Sequence, residues 1–252
     1  MKSVSNGSGM PRWARRFQSN SRNRLAAMLI MAAMTSNAAL AQIMPGGQGG
    51  MGRPSTMDQP GEEIRSTPVP DKPDAAAKKA YAAGVKSLTK ARDQEAVAAH
   101  APNEDKKNAA LEKMNDAYGR ALDQFTEALR NKGDMYEAWD QVGYVHLRLG
   151  AYGEAVDDYD HALALRPDLP EAIEHRAEAY LALDRLDGAK SAYMDLFSHA
   201  RPLADQLMPA MQRWMTLHRT NLAGMRASDV DAFDKWLQEQ DGIAKQTAAL
   251  PH

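Results

Sequence analysis

His146, His161, His175, His199 and His218 are scattered along the chain, and none falls in an H-x3-H or H-E-x2-H spacing. A metal centre or a nucleophile–base pair needs its groups clustered, so these residues predict neither. Met208, Met211 and Met215 share a helix face and could form an adaptable surface or a soft metal site. No other soft ligand accompanies them at a matching spacing, and they are expected in a core. The glycine run from Gly46 to Gly52 follows no strand, precedes no helix and lacks the Lys-Ser/Thr of a phosphate loop. Adjacent acids such as Asp157 and Asp158 are expected on a solvated helix face. Nothing in these patterns supports an enzyme, and no catalytic residue, cofactor or metal is expected.

The elements that would position any site show a period. Ala121, Ala155 and Ala189 are spaced by 34 residues, as are Phe125, Tyr159 and Tyr193, and also Leu129, Leu163 and Phe197. Tyr118, Tyr152 and Leu186 keep the same step. Self-similarity at this length marks a helical repeat array, in which each unit buries its apolar face only against a neighbour.

The best-formed unit runs from Tyr136 to Leu169. Trp139, Val142, Gly143 and His146 are followed by Gly150, Tyr152, Ala155, Tyr159, Ala162 and Pro167. This resembles a tetratricopeptide repeat, whose pattern is W-x2-L-G-x2-Y, then A-x3-F and a closing P. Val142 stands for Leu, His146 for Tyr and Tyr159 for Phe. Gly143 and Ala155 are small where two helices approach, Tyr152 and Tyr159 fill the space between units, and Pro167 stops the second helix. The resemblance implies an all-α fold, a right-handed superhelix of helical hairpins.

The next unit, from Pro170 to about Leu203, keeps Ala177, Tyr180, Ala189 and Tyr193 but has Ile173 for Trp and Arg176 for Leu. Upstream, the second helix is clear in Tyr118, Ala121, Phe125, Ala128 and Leu129, yet an ungapped count puts Asp105, Asn108 and Ala109 where Trp, Leu and Gly belong. Ala80, Ala83, Gly84 and Ser87 give a weak match, with Gly84 lying one period plus about 25 residues before Gly143. An insertion shared by both helices predicts an extended hairpin from Asp74 to about Ala101 and from Asn103 to about Asn131. Its corner falls at His100–Asn103, with Asn103 as N-cap and Glu104 and Asp105 in the first turn, where carboxylates suit the helix dipole. Val85, Leu88, Val97, Leu111 and Met114 are expected to continue its apolar face.

After Pro202 the 34-residue signature stops but helical periodicity continues. Leu203, Leu207, Met211, Trp214 and Leu217, then Val230, Phe233, Trp236, Leu237 and Ile243, predict two closing helices that cap the array. Ser228 and Asp231 suggest a capping-box start for the last one. The domain reading is a signal peptide at 1–41, a flexible Gly/Pro-rich linker at 42–73, the array at 74–201 and capping helices at 202–252.

The leader carries Lys2, Arg12, Arg15, Arg16, Arg22 and Arg24 without an acid, then the apolar run Leu25–Met34, then Ala39-Leu40-Ala41 as a cleavage site. The run is shorter than the roughly 20 residues of a membrane-spanning helix. Cleavage after Ala41 predicts a mature start at Gln42, no stable membrane span and a periplasmic location. The chain has no cysteine, so neither a disulfide nor a thiol-linked lipid is expected. Removing the leader takes six of the 31 Lys and Arg residues and none of the 33 acids, leaving 25 against 33, or −8. That balance argues against nucleic acid as a partner.

In the resembled family, positions 2, 5, 9, 12 and 13 of each first helix line a concave groove. Here the resemblance implies Glu137, Asp140, Tyr144, Leu147 and Arg148 in the second unit, and Glu171, Glu174, Glu178, Leu181 and Ala182 in the third. Family members that capture a C-terminal carboxylate use Lys and Asn at such positions, and Asp140 and Tyr144 take the key pair here. The partner-binding set expected is therefore Glu137, Asp140, Tyr144, Leu147, Arg148, Glu171, Glu174 and Glu178, facing solvent and taking a basic or amphipathic protein or peptide segment. The function expected is a non-enzymatic adaptor of the bacterial cell envelope. The rival is a structural subunit of a homo-oligomer or envelope complex that uses its convex or terminal faces.

Overall fold

The computed structural model describes residues 73–219 and 225–248. The leader, the cleavage site after Ala41 and all of the linker before Pro73 lie outside the described residues. Among those described there are eight helices and no strand: α1 (Pro73–Ala99), α2 (Glu104–Asn131), α3 (Tyr136–Arg148), α4 (Tyr152–Leu165), α5 (Pro170–Ala182), α6 (Leu186–His199), α7 (Arg201–His218) and α8 (Ala227–Ala248). Consecutive helices pack pairwise as hairpins, and the hairpins stack so that α3 lies beside α5 and α5 beside α7.

Each of the first two hairpins sets a glycine on its first helix against a ring on its second. A methyl group on Gly84 would come within 2.6 Å of the Phe125 ring, and one on Gly143 within 3.0 Å of the Tyr159 ring. Both rings are fully buried and have nowhere to move. In the third hairpin Ala177 and Tyr193 share one buried cluster.

Helices α1 and α2 have 27 and 28 residues, against 13 and 14 for α3 and α4. The chain turns between Ala99 and Glu104, and the Asn103 side chain accepts the backbone N–H of Lys106 at 3.0 Å as N-cap of α2. The seam of this hairpin differs from the expected apolar face. Leu88 is buried and Leu111 and Met114 are half-buried, but Val85 and Val97 are 38% and 52% exposed. The close contact is made by Ala77, Gly84, Ala91 and Ala98, spaced by sevens on α1, with Ala110 and Ala117 on α2. Small side chains at heptad spacing let two backbones approach, and the bulkier valines are left outside the seam.

The turn between the two helices holds one left-handed residue in the second and third hairpins. In the second hairpin this is Gly150, with φ of 77°, and 34 residues on it is Asp184, with φ of 58°. A non-glycine residue there is strained. The Asp184 carboxylate, however, accepts Trp214 Nε1–H at 3.3 Å and lies 3.5 Å from His218 Nε2, tying the turn to α7. Trp214 also stacks on His218 and meets Phe233 of α8 edge-on.

The methionine stripe on α7 is core. Met208, Met211 and Met215 pack with Leu207, Trp214, Val230 and Phe233. Helix α8 begins at Ala227, so Ser228 lies inside the first turn. Its hydroxyl donates to Asp229 Oδ1 at 3.3 Å, and no capping box with Asp231 forms. No described helix is long and apolar enough to cross a membrane.

Candidate protein-binding groove

Three- and four-residue steps place Glu137, Asp140, Tyr144 and Arg148 along one face of α3, and Glu171, Glu174 and Glu178 along one face of α5. The packing of α3 on α5 brings the two rows together, with the Tyr144 ring edge-on to His175 at 5.2 Å between centroids. The inserted length of α1 reaches the same face. Its Arg92 guanidinium lies 4.8 Å from the Tyr144 ring centroid, and its Glu95 is ion-paired with Arg148.

Six of the eight expected residues lie along this face as carboxylates or an aromatic, but not as a freely solvated surface. Glu171 is exposed; Glu137, Asp140, Tyr144, Glu174 and Glu178 are partly buried. The Glu174 side chain keeps 13% of its exposure. Stacking of hairpins brings neighbouring first helices close enough for each row to shield the other. Leu147 is corrected outright: it is 2% exposed and packs with Tyr152, Ala155 and Val156 in the core of its own hairpin, out of a partner's reach. Arg148 is also withdrawn, with 11% side-chain exposure and Glu95 as its partner.

The face has two electrostatic ends. At one end Glu95 holds Arg148 and also accepts the Tyr118 hydroxyl at 3.3 Å. Glu178 sits near Arg148 and Arg213, whose charges favour its ionised form, yet its burial outweighs them and raises its pKa. The same burial lowers that of Arg148. His175 beneath is pushed down to about 4 by burial and then by Arg92 and Arg148, so it is neutral at physiological pH.

At the other end no described Lys or Arg lies within ion-pair distance of Glu137, Asp140, Glu171 or Glu174. Asp140 Oδ2 accepts Gln141 Nε2–H at 2.8 Å, while its Oδ1 is buried without a partner. Burial pushes the Asp140 carboxyl up to about 6, the Gln141 hydrogen bond opposing and the charge of Glu171 adding to it. Burial, then Glu178 and Glu171, raises Glu174. Tyr81 of α1 is near enough for Asp140 and Glu137 to add to the burial that lifts its phenol to about 12. The Tyr159 hydroxyl is also buried and unpartnered, in the field of Asp140, Glu178 and Glu174.

Sequence reasoning missed Arg92, Glu95, His175 and Arg213. Arg92 and Glu95 lie in the insertion, and Arg213 on a helix without the 34-residue signature, so no repeat register assigns them to the face. His175 occupies a repeat position not counted among the groove positions. His146 and His161 have partners inside the array. His146 Nδ1 lies 2.5 Å from Asp158 Oδ2, so Asp158 is a buried partner and only Asp157 is the solvated acid expected. His161 stacks on Trp139. Among the described residues no group of three His, Asp or Glu side chains could hold a metal ion.

No curated protein matches the chain. Among solved structures it is similar to the TPR domain of Arabidopsis OM64, at 17% identity and a TM-score of 0.42, over 57% of this chain and 98% of that one. Residues 136–169, which are α3 and α4 with their flanking turns, match the family model described as tetratricopeptide repeat, and the helices around them continue an all-α array of stacked hairpins.

Proposed function

We propose that this chain is a non-enzymatic adaptor of the bacterial cell envelope that binds a basic or amphipathic protein segment along the α3–α5 face. A tetratricopeptide repeat supports protein–protein interaction in general, and the basic leader with Ala39-Leu40-Ala41 supports export. The observation that carries the choice of partner is the uncompensated end of the face. Four acids from two helices converge there with Tyr144 beside them, and the array supplies no described cation within ion-pair distance. A bound Lys or Arg would meet carboxylates, while the Tyr144 ring offers contact area to an apolar neighbour.

The test uses the native protein from a periplasmic fraction. Mass spectrometry is expected to find Gln42 at its N-terminus, and the protein it retains is then measured against purified variants. Glu137→Lys with Glu171→Lys changes charge at accessible positions and should slow association about tenfold at low salt, less at physiological salt where the Debye length is about 8 Å. Tyr144→Ala should mainly speed dissociation. Recovery of the intact Met1 chain in membranes overturns the location. A retained protein that binds the double reversal as fast and as tightly as wild type overturns the binding face, and concentration-dependent mass would then favour the structural-subunit reading.

A further inference from the structure

We propose that the uncompensated end of the α3–α5 face is a socket for one Lys or Arg side chain of the bound segment. This rests on the reading of the face as a protein-binding surface and adds what the surface selects and how pH governs it.

The acids alone would be only a charged face. Two further atoms point to a ligand. The Tyr159 side chain is 0% exposed and its hydroxyl has no partner, although it is directed among Asp140, Glu174 and Glu178. Asp140 Oδ1 is likewise buried and unpaired. Buried polar atoms are nearly always hydrogen-bonded, and an orphaned acceptor beside crowded carboxylates is matched by a donor that carries positive charge. The Tyr81 ring lies near Asp140 and Glu137, and aromatic faces attract ammonium and guanidinium groups, as Arg92 on the neighbouring Tyr144 ring already shows.

The proton coupling follows from the surroundings. Tyr81, Arg92 and Glu95 face this region from α1; Glu137, Tyr144 and Arg148 from α3; Tyr152 and Tyr159 from α4; Glu171, His175 and Glu178 from α5; and Arg213 from α7. The three arginines act on Tyr144, His175 and Glu178, and His175 stays neutral. At Asp140 burial, with the charge of Glu171, outweighs the opposing Gln141 hydrogen bond, and at Glu174 burial adds to the charges of Glu178 and Glu171, so both favour the protonated acid. A bound cation stabilises the ionised form, so the carboxyl proton passes to solvent as the cation enters. Affinity therefore rises with pH across the range in which the free socket still holds a proton.

Titration of the full chain with Nα-acetyl-lysine amide and with Nα-acetyl-arginine amide, with Nα-acetyl-norleucine amide as uncharged control, tests this by amide NMR and calorimetry. At pH 8 either cation is expected to shift the Gln141 side-chain amide, which donates to Asp140, and the backbone amides of residues 171–178. Binding should weaken about tenfold at pH 6, because a pKa difference of one unit is a tenfold linkage. Calorimetry in buffers of different protonation enthalpy should show proton release near pH 7, and Glu174→Gln should remove most of it. No shift with either cation at about 50 mM, where even a single side-chain contact of millimolar affinity saturates, overturns the socket. Equal shifts with the norleucine compound, or equal affinity at pH 6 and pH 8, overturn it too. A protein partner that is lost on reversing Glu137 and Glu171 but binds independently of pH removes the socket and keeps the adaptor. Cation binding with proton release, combined with a partner indifferent to those reversals, makes a free small cation the occupant and overturns the proposal as stated.

Discussion

The two ends of the α3–α5 face carry similar residues in opposite states. At the α1 end the long hairpin delivers Arg92 and Glu95, and Glu95, Arg148, Glu178 and Arg213 balance one another inside the protein. At the other end Asp140, Glu171 and Glu174 repel one another with no described cation to balance them. Spacing on the helix is the same in both places. The difference comes from the arginines that three helices bring to one end only, Arg92 from the inserted length of α1, Arg148 from α3 and Arg213 from α7.

Removing a charge from the balanced end is expected to have the largest effect. Arg148→Ala leaves Glu95 without its cation and Glu178 with Arg213 alone in a largely buried setting and should cost about 2–4 kcal/mol, read as a lower urea midpoint. Combining it with Glu95→Ala should recover part of that loss, because the orphaned charge is removed with it. Additive losses would mean that the pair is not coupled.

Removing a charge from the unbalanced end should act in the opposite direction. Glu174→Gln is expected to stabilise the protein by about 1–2 kcal/mol at pH 8.5, since ionisation there is opposed by burial and by two neighbouring acids. The sign with pH follows from the raised carboxyls. Their stabilising contribution is complete below the ordinary carboxyl range and is lost as pH rises through the raised values. His175 works the other way, its contribution present above about 6.5 and lost as pH falls toward 4. Between pH 6.5 and 8.5 the carboxyls therefore dominate, and the wild-type melting temperature should fall while that of Glu174→Gln falls less, since Glu178 keeps its raised carboxyl. A wild-type melting temperature that rises over this range contradicts the comparison.

The smallest effect is expected at Glu137, which is partly buried but takes part in no described hydrogen bond or ion pair. Glu137→Gln should change stability by less than about 0.5 kcal/mol and show itself only in the association rate of a basic partner. A larger loss of stability would mean that this end has a counter-charge after all.

Much of the fold is legible in the chain because its causes are local or periodic. The 34-residue step of Ala155 and Ala189, the pairing of a small residue with a ring at Gly143 and Tyr159, and the Asn103 cap each follow from residue type at a fixed spacing. Asp184 is legible in the same way as the counterpart of Gly150, although its tie to Trp214 is not. The candidate face is legible as a row of acids on two helices, because helical period alone aligns Asp140 with Tyr144 and Glu174 with Glu178.

Tertiary structure decided the rest. Which side chains of one hairpin meet those of the next depends on the closeness and rotation of stacked helices, and no repeat pattern encodes that for an inserted segment. It brings Glu95 to Arg148 across 53 positions, turns Leu147 into its own core and buries Asp158 against His146. It also makes Ala91, Ala98, Ala110 and Ala117 the seam of the long hairpin and leaves Val85 and Val97 outside. The identity of a helix face is a one-dimensional property of the sequence. Its burial, its charge balance and the protonation of its acids belong to the neighbours that packing places against it.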